Sequence, residues 1–273
     1  MNLEVVIDKN RVRQAFSRQA SLYEENASLQ KDVAEKLISI IPPLALRPLP
    51  QGEGWGEGRV LDIGIGTGFA TKEFLSRFPK TSVFGCDIAW GMLKEAGMTG
   101  AVLTEADAEH LPYKDETVDL AFSSLTLQWT NLHNSANESF RILKPDGMFY
   151  FSTFGEKTLI ELGDSYSSAW RSMGIEGMPK TMRFEPSKDV KTLMESAGFK
   201  DVMVKTDLIK SRYQSPEALL RSLKAIGAGN HSKEFYPSRT LLHETFRKYM
   251  ERYGNEEGIP ATFEIVYAWG RKR

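Results

Sequence analysis

Residues 60–68 read VLDIGIGTG, and this stretch decides the fold. The apolar run at 60–63, led by a β-branched residue, predicts a buried strand, and helical spacing returns at 69–75. Between them, glycines at alternate positions remove side chains from a tight turn, so that a polar group of a ligand can approach bare backbone. The order strand, glycine turn and helix places free N–H groups and the positive end of a helix dipole beside such a ligand.

The spacing of the glycines separates two cofactor classes. A dinucleotide fingerprint, G-x-G-x-x-G, requires its third small residue where this chain has Phe69, which argues against NAD and FAD. An acid at the end of the next strand is nevertheless present, because Asp87 closes the strand pattern SVFGCD at 82–87. Asp87 can accept hydrogen bonds from both hydroxyls of a ribose. The sequence therefore favours a ribose-containing ligand other than a dinucleotide.

Residues 62–68 resemble motif I of the class I S-adenosylmethionine-dependent methyltransferases. The donor of that family carries a ribose but no pyrophosphate, which fits a turn that requires closeness to the ligand rather than an anion cradle. A structural glycine turn without a ligand is the alternative, but it does not account for the turn, Asp87 and Asp107 occurring in the expected order. The resemblance implies S-adenosyl-L-methionine as cofactor and a donor site formed by Gln30, Asp62, Gly64, Gly66, Thr67, Gly68, Asp87, Ile88, Met92, Asp107, Ala108 and Ser123.

Three of these residues have specific implied roles. The segment ADAEHLPY at 106–113 resembles the stretch that holds the adenine edge in this family, with Asp107 accepting from the exocyclic amine and the amide of Ala108 facing a ring nitrogen. Met92 resembles the methionine that packs against the adenine and ribose. An acid before a turn can also be only a helix N-cap, and this alternative stays open for Asp107.

The hydrophobic pattern predicts an α/β fold, and the resemblance makes it Rossmann-like, with a seven-stranded, mostly parallel sheet and helices on both faces. The predicted strands are 60–63, 82–87, 101–103, 117–122, 148–153, 201–207 and 261–269. The predicted helices after the fourth strand are 135–143, 157–172, 187–197, 216–226 and 237–253, and 144–147 is predicted as a turn. Ligands of such sheets bind beyond the carboxyl ends of the strands, so the loop after 117–122 should face the reacting centre.

The chain is predicted to have four segments. They are an N-terminal helical lid at 1–41, a Pro- and Gly-rich linker or insertion at 42–58, a donor-binding core at 59–154, and the remainder of the sheet with substrate-cap helices at 155–273, the cap being 155–183 and 212–230. In the lid, Phe16, Tyr23 and Gln30 are spaced seven apart and share one helix face. FSRQASLY at 16–23 resembles the opening of small-molecule methyltransferases in which this helix closes over the donor. Simple packing of Tyr23 and solvent exposure of Gln30 are the alternatives.

The composition excludes several functions. Thirty-five basic and 36 acidic residues leave a net charge of −1, without the basic surplus expected for binding to nucleic acid or an anionic membrane. The four histidines are scattered without metal-ligand spacing, so no metal is predicted. The single cysteine, Cys86, fits an inert core residue in a reducing compartment, and no apolar stretch predicts a signal peptide or a membrane span. We therefore expect a cytoplasmic enzyme that acts as a monomer.

The second half of the chain narrows the resemblance. Four segments resemble the malonyl-acyl carrier protein O-methyltransferases of biotin synthesis. They are QW at 128–129, GEKTLIEL at 155–162, RF at 183–184 and RSLKAIGA at 221–228. The resemblance spans nearly the whole chain apart from 47–58, and Ser124 departs from the asparagine of many relatives. It implies methyl transfer to the free carboxylate of a malonyl thioester on acyl carrier protein or coenzyme A.

A carboxylate acceptor limits what the enzyme must do. An unperturbed carboxyl group has a pKa near ~4, so the malonyl carboxylate is already a nucleophile at neutral pH and requires no general base. Arginine can hold one face of a carboxylate in a fixed direction. The candidates are Arg183 and Arg221, although each could instead form a surface ion pair. Tyr23 and Gln128 are further orienting candidates, and Trp129 is expected to face the substrate.

Other functions remain open at this point. A carboxyl methyltransferase for small free acids, of the aconitate type, would use the same donor site. The hydroxylase-type assembly factors of respiratory complex I share S-S-L-x-L-x-W and P-A-T-F-x-I with this chain, but carry histidine in place of Gln128. A basic patch could dock an acidic carrier protein, with a solvated charged face as the alternative. Its members are Lys205, Lys210, Arg212 and Lys224.

Overall fold

The computed structural model describes residues 7–43, 58–177, 179, 184–229 and 237–273. Its helices are α1 Lys9–Asn26, α2 Ser28–Ile40, α3 Phe69–Arg77, α4 Trp90–Ala96, α5 Leu132–Ile142, α6 Ile160–Ser172, α7 Ser187–Ser196, α8 Pro216–Ala225 and α9 Arg239–Tyr253. Its strands are β1 Arg59–Ile63, β2 Ser82–Asp87, β3 Val102–Glu105, β4 Val118–Ser124, β5 Leu143–Phe154, β6 Lys200–Tyr213 and β7 Ile259–Arg271. Most of the predicted insertion at 42–58 lies outside the described residues.

Within these residues the strands form a seven-stranded sheet in the order β3-β2-β1-β4-β5-β7-β6. The strands β1 to β5 pair in parallel, and β7 runs antiparallel to both of its neighbours. The predicted Rossmann-like α/β class is therefore confirmed. After β1 the chain builds β2 and β3 on one side and then returns to β4 on the other. The strand order thus reverses between β1 and β4, and ligands of such sheets bind beyond the carboxyl ends of these strands.

The central strand β1 is buried on both faces, as expected for a parallel sheet covered by helices. Val60 packs with side chains of α2 and α3 on one face, whereas Leu61 and Ile63 pack with side chains of α5 and α7 on the other. All three are 0% exposed. Burial on both sides explains why Val60, Leu61 and Ile63 do not alternate with exposed polar residues, and the one polar side chain among them, Asp62, is itself buried and hydrogen-bonded to Thr71.

The N-terminal segment forms two helices because the chain turns at Ala27. This residue is 1% exposed and has φ −101° and ψ 38°, outside the helical region. The side chain of Asn26 donates to the carbonyl of Leu22 at 2.9 Å, which competes with the helical backbone hydrogen bond to the same oxygen. The carbonyl of Ala27 then accepts the N–H of Lys31 and starts α2. The change of direction keeps both helices against the sheet.

Several predicted boundaries differ from the observed ones; the largest extension is β6, which continues to Tyr213 instead of ending at 207 and so takes in the start of the predicted cap at 212–230. Two of the differences have a clear cause in hydrogen bonding. The predicted turn at 144–147 lies inside β5 as a bulge, where Asp146 has φ +66° and its N–H donates to the carbonyl of Lys272 at 2.7 Å. The predicted helix at 157 begins only at 160, because the preceding turn is hydrogen-bonded to β7 through Gly155 N–H and the Glu264 carbonyl at 2.8 Å. No helix in the described part of the chain combines the length and apolarity required to cross a bilayer.

Candidate functional site

A cavity lies at the carboxyl ends of β1 and β4, where the strand order reverses. Its floor is the glycine turn at 64–67, and its walls are the segments 86–88, 106–108 and 124–126, which lie at the carboxyl ends of β2, β3 and β4. Side chains of α1 and α2 cover it, among them Tyr23. The cavity therefore lies between the sheet and the two N-terminal helices, at the position expected for a ligand of an open α/β sheet.

The glycines of the turn are required for different reasons. Gly64, Gly66 and Gly68 have φ of +75°, +56° and +87°, a region that glycine adopts without strain. A Cβ on Gly64 would lie 2.2 Å from the side chain of Thr126, so this glycine allows close packing. A Cβ on Gly66 would meet no atom within 4 Å and would enter open space. Because Gly66 also lines the cavity, its bare backbone faces the ligand space.

Asp87 lies at the end of β2 and holds the glycine turn. Its Oδ2 accepts the N–H of Gly66 at 3.0 Å, and its Oδ1 accepts the N–H of Ala89 at 2.8 Å. Burial raises the pKa of Asp87 to about 6, although these backbone hydrogen bonds oppose the rise. Each carboxylate oxygen can accept one further hydrogen bond, so the group can bind a pair of hydroxyls.

Three predicted donor-binding residues lie behind the cavity wall. Asp62 is 1% exposed, and its Oδ2 accepts the hydroxyl of Thr71 at 2.7 Å, which ties β1 to α3. Burial raises the pKa of Asp62 to about 7. The hydroxyl of Ser123 donates to the carbonyl of Ile63 at 2.7 Å and ties β4 to β1. Gly68 is the N-cap of α3 and is not part of the lining.

The residues predicted to contact the base line the cavity together. Asp107 and Ala108 lie on the side of β3, and Ile88 and Met92 lie beside them. The alternative of a helix N-cap is not realised at Asp107, because its Oδ1 accepts the N–H of Glu109 at 3.0 Å and closes a turn without a following helix. Thr67, which was predicted with the glycines, also lines the cavity.

An ion-pair cluster connects α1 to this part of the cavity. The Nζ of Lys9 lies 2.5 Å from Asp107 Oδ2 and 2.7 Å from Glu109 Oε1. Burial acts to raise the pKa of Glu109, but hydrogen bonds from Lys9, from the Asn131 N–H and from the Asn134 amide outweigh it and hold that pKa below the ordinary value. Cation–carboxylate contacts therefore hold the first part of α1 over the cavity.

Further along α1, aromatic side chains cover the cavity. The rings of Phe16 and Tyr23 lie with centroids 6.4 Å apart at an interplanar angle of 51°. Burial, and then the negative charge of Asp87, raises the pKa of Tyr23, so its hydroxyl stays protonated at neutral pH. Gln30 of α2 lines the same cavity, so the predicted stripe of three residues faces one space despite the turn at Ala27.

The predicted acceptor-binding residues are brought together only in part, because Tyr23 and Trp129 line the cavity whereas Gln128 and Arg221 do not. Trp129 lines the cavity and is 9% exposed, whereas Gln128 is not part of the lining. The Nε2 of Gln128 donates to the carbonyl of Leu125 at 2.5 Å, and its Oε1 is buried without a hydrogen-bond partner among the described residues. Arg221 is exposed on α8. Arg183 lies outside the described residues.

The predicted basic patch is divided between two elements. Lys205, Lys210 and Arg212 lie on the edge strand β6, whereas Lys224 lies on α8. Lys205 already lies over the ring of Trp269 at 5.5 Å, and Arg212 pairs with a carboxylate oxygen of Glu257 at 3.1 Å. No group of three or more histidine, cysteine, aspartate or glutamate side chains is placed to hold a metal in the part of the chain that is described.

Lys9 and Thr126 are among the lining residues that the sequence prediction missed. A signal for Lys9 was present, because it lies seven residues before Phe16 and extends the seven-residue spacing of the predicted stripe by one step. Thr126 gave no comparable signal. Its contact with Gly64 exists only because β4 ends beside β1 in the folded sheet.

Known proteins resemble this chain over most of its length. The family described as "Methyltransferase domain" matches residues 61–151. The malonyl-[acyl-carrier protein] O-methyltransferase of Geobacter sulfurreducens is 36% identical over 276 residues, which cover 98% of this chain and 100% of that one. The Halorhodospira halophila protein of the same name is 34% identical over 97% of this chain and 88% of its own length. The biotin biosynthesis bifunctional protein BioHC of Teredinibacter turnerae is 34% identical over 97% of this chain and 47% of its own.

Solved structures share the fold at lower sequence identity. The YcgJ protein from Bacillus subtilis superimposes with a TM-score of 0.58 at 15% identity, covering 87% of this chain and 98% of that chain. A SAM-dependent methyltransferase from Thermotoga maritima gives a TM-score of 0.51 at 20% identity, covering 96% and 100%. At these identities the likeness concerns the fold alone.

Proposed function

The chain belongs to the malonyl-[acyl-carrier protein] O-methyltransferase family, and we propose that it transfers the methyl group of S-adenosyl-L-methionine to the free carboxylate of a malonyl thioester on acyl carrier protein, in biotin precursor synthesis. The observation that carries the donor half is the cavity floor, where Gly66 leaves bare backbone hydrogen-bonded to Asp87. The acceptor half rests on the family.

The residues present fit this donor. S-Adenosylmethionine, when bound, supplies a methyl group activated by the positive charge on its sulfur. A Cβ at position 66 would fill space beside the turn that such a ligand requires. Asp87 keeps acceptor sites for two ribose hydroxyls, and Asp107 keeps sites for the amino group of adenine. The N–H of Ala108 is assigned to a ring nitrogen of the base.

Other residues would complete the donor site. Ile88 and Met92 supply apolar surface for the base and sugar, and Gln30 of α2 faces the same space. The first turn of α3 has no side-chain cap, so its N–H groups and the backbone at Thr67 are available to the carboxylate of the amino-acid tail. Asp62, Gly68 and Ser123 are assigned a supporting role, because they fix the wall from behind.

The acceptor carboxylate is ionised at neutral pH, so the enzyme's task is to orient it and remove water. We assign the orienting charge to Arg183 and Arg221, with the neutral Tyr23 hydroxyl as a hydrogen-bond donor. One N–H of the Gln128 amide donates to the Leu125 carbonyl, and its Oε1, which has no partner among the described residues, is an acceptor that suits an N–H of the thioester arm rather than a carboxylate. Trp129 contributes apolar surface that excludes water at the reacting centre.

We extend the proposal to domain roles and partners. Residues 1–41 act as a lid over the donor, and the helices within 155–273 as a cap for the acceptor. Malonyl-acyl carrier protein is the substrate and malonyl-coenzyme A its smaller substitute. The enzyme acts as a cytoplasmic monomer, without nucleic acid or membrane. Lys210 and Lys224 remain the members of the basic patch offered to the acidic carrier.

Transfer of a labelled methyl group to alternative acceptors tests this function. Purified enzyme with methyl-labelled S-adenosylmethionine would be offered malonyl-acyl carrier protein, malonyl-coenzyme A, free malonate and aconitate. We expect label on the two thioesters, with a mass increase of one methylene and loss of the label under mild alkaline ester hydrolysis. Label on the free acids alone would support the small-acid alternative. Donor binding without any transfer would refute the acceptor assignment.

A further inference from the structure

We propose that Lys9 is a positioning residue that fixes the carboxylate of Asp107 toward the base of the bound donor and thereby sets the preference for adenine. The inference deepens the proposed function and rests on it. Lys9 belongs to α1, whereas Asp107 follows β3, so the contact joins segments 98 residues apart in the chain.

The geometry places a single ammonium group between two carboxylates. Lys9 Nζ lies 2.5 Å from Asp107 Oδ2 and 2.7 Å from Glu109 Oε1. The side chains of Lys9 and Asp107 are 31% and 26% exposed, and that of Glu109 is 9% exposed. Both Lys9 and Asp107 line the cavity, so this ion pair is part of the wall and not a remote surface contact.

Glu109 provides a fixed anchor for Lys9. Its Oε1 accepts the N–H of Asn131 at 2.8 Å, and its Oε2 accepts the side-chain amide of Asn134 at 3.0 Å. Asn131 is the N-cap of α5, which belongs to the core. A continuous chain of hydrogen bonds therefore runs from α5 through Glu109 and Lys9 to Asp107.

The anchor leaves Asp107 oriented but not saturated. Its Oδ1 accepts the N–H of Glu109 at 3.0 Å and its Oδ2 accepts from Lys9, which uses one acceptor site on each oxygen. Without Lys9 only Oδ1 would be held, and two neighbouring carboxylates would repel each other without a shared cation. The remaining acceptor sites would then no longer point in a fixed direction.

A fixed carboxylate discriminates between bases at one atom. An exocyclic amino group, as in adenine, can donate to Asp107. The oxo group of hypoxanthine is an acceptor, so it would face the carboxylate oxygen with no hydrogen between them. Rejection of such an analogue requires that the carboxylate of Asp107 cannot rotate away from the base, and the contact with Lys9 prevents that rotation.

The next turn of α1 offers a matched control. Arg13 pairs with Glu105, which is not part of the cavity lining. Loss of either cation would loosen the attachment of α1 to the end of β3. Only loss of Lys9 would also release Asp107. A comparison of the two variants therefore separates positioning of Asp107 from general attachment of the helix.

The experiment measures binding of S-adenosylhomocysteine and S-inosylhomocysteine by calorimetry to wild type, Lys9→Gln, Lys9→Arg and Arg13→Gln. We expect wild type to prefer the adenosyl ligand. Lys9→Gln should weaken adenosyl binding about tenfold and lower the adenosyl-to-inosyl ratio, whereas Lys9→Arg should restore that ratio. Arg13→Gln should weaken both ligands equally and leave the ratio unchanged.

Salt provides a second measurement that needs no variant. Both ligands are zwitterions without net charge at neutral pH, so salt acts mainly on the partly exposed ion pair, which it screens. The adenosyl-to-inosyl binding ratio of wild type should decrease as the potassium chloride concentration is raised.

The role of Lys9 would be overturned if the Lys9→Gln variant kept the wild-type ratio, or if the ratio decreased equally in the Arg13→Gln variant. Absence of binding of either ligand to wild type would instead refute the donor site and the proposed function.

Discussion

The ring of Phe16 meets the indole of Trp129 edge to face, with centroids 5.7 Å apart and an interplanar angle of 70°. Phe16 belongs to α1, and Trp129 ends the short 3-10 turn after β4, so the pair joins the helix that covers the cavity to the loop after β4. Aromatic pairs of this geometry are favourable by about 0.5–1.5 kcal/mol beyond the area that they bury. The pair therefore ties α1 to the loop after β4, which we propose faces the acceptor.

Phe16→Ala should lower kcat/KM for the malonyl thioester at least about fivefold, since loss of about 1 kcal/mol of closure energy corresponds to that factor. Leu22→Ala is the control, because Leu22 lies on the same helix and is 51% exposed. It should leave kcat/KM unchanged. Steady-state kinetics with the thioester checks both variants, and equal effects would contradict the link.

Gly66→Ala should raise the Kd for S-adenosylhomocysteine more than about tenfold with a modest loss of stability. The left-handed backbone costs a residue with a Cβ roughly 1–2 kcal/mol, and the Cβ projects into the ligand space without touching the protein. Gly163→Ala in α6, where a Cβ also meets nothing, is the control and should bind normally. Calorimetry and thermal unfolding distinguish the two, and normal binding by Gly66→Ala would place the ligand elsewhere.

Donor affinity should depend on pH through Asp87. Its pKa in the folded protein is raised to about 6, and ribose hydroxyls donate best to the ionised group. Affinity for S-adenosylhomocysteine should thus be constant above about pH 7 and fall below pH 6, approaching about tenfold per pH unit. Asp87→Asn should bind weakly and remove this dependence. A flat wild-type profile between pH 5 and 8 would be inconsistent with the assignment.

The contribution of Asp62 to stability should change with pH in the opposite direction to that of a carboxylate in a surface ion pair. Its pKa is raised to about 7, so between about pH 4 and pH 7 the folded state binds more protons than the unfolded state. Stability from this group therefore falls as pH rises through that window. Asp62→Asn keeps an acceptor for Thr71 and should gain stability relative to wild type from pH 5 to pH 8. Urea unfolding of both proteins at pH 5 and pH 8 measures this difference in the free energy of unfolding. A difference that is the same at both pH values would contradict the prediction.

Arg221→Ala should leave the Kd for S-adenosylhomocysteine unchanged and lower kcat/KM for malonyl-acyl carrier protein more than about tenfold, because a charged hydrogen bond is worth about 1.5–3 kcal/mol. Lys224→Ala, one turn along α8, separates orientation of the acceptor carboxylate from docking of the carrier protein. This variant should raise KM for malonyl-acyl carrier protein and leave kcat unchanged. Equal loss of donor binding and turnover in Arg221→Ala, or loss of neither, would contradict the assignment to the acceptor.

The residues that the sequence could place are those whose role is local. The glycine turn and the segment at 106–108 directly follow a strand and Asp87 ends one, so their position at the cavity follows from strand order once the sheet is parallel. The stripe of Phe16, Tyr23 and Gln30 also faces one space. Its spacing carried that information even though the helix turns at Ala27.

The remaining features depend on contacts between distant segments. Motif position alone could not separate Asp62 and Ser123, which bind Thr71 and the Ile63 carbonyl, from neighbours that face the cavity. Lys9 acquires its role only because α1 crosses the end of β3. The bulge at Asp146 likewise depends on a hydrogen bond to Lys272, 126 residues further along, which no local pattern indicates.

The position of β7 between β5 and β6 has a consequence for synthesis of the protein. Residues 259–271 fill the gap between two strands that leave the ribosome earlier. Until they emerge, β5 and β6 cannot be joined, and the nascent polypeptide exposes an open edge beside apolar side chains such as Phe149 and Phe151. Chaperone protection should therefore be required until residues 259–271 have left the ribosome, and only then should the sheet close.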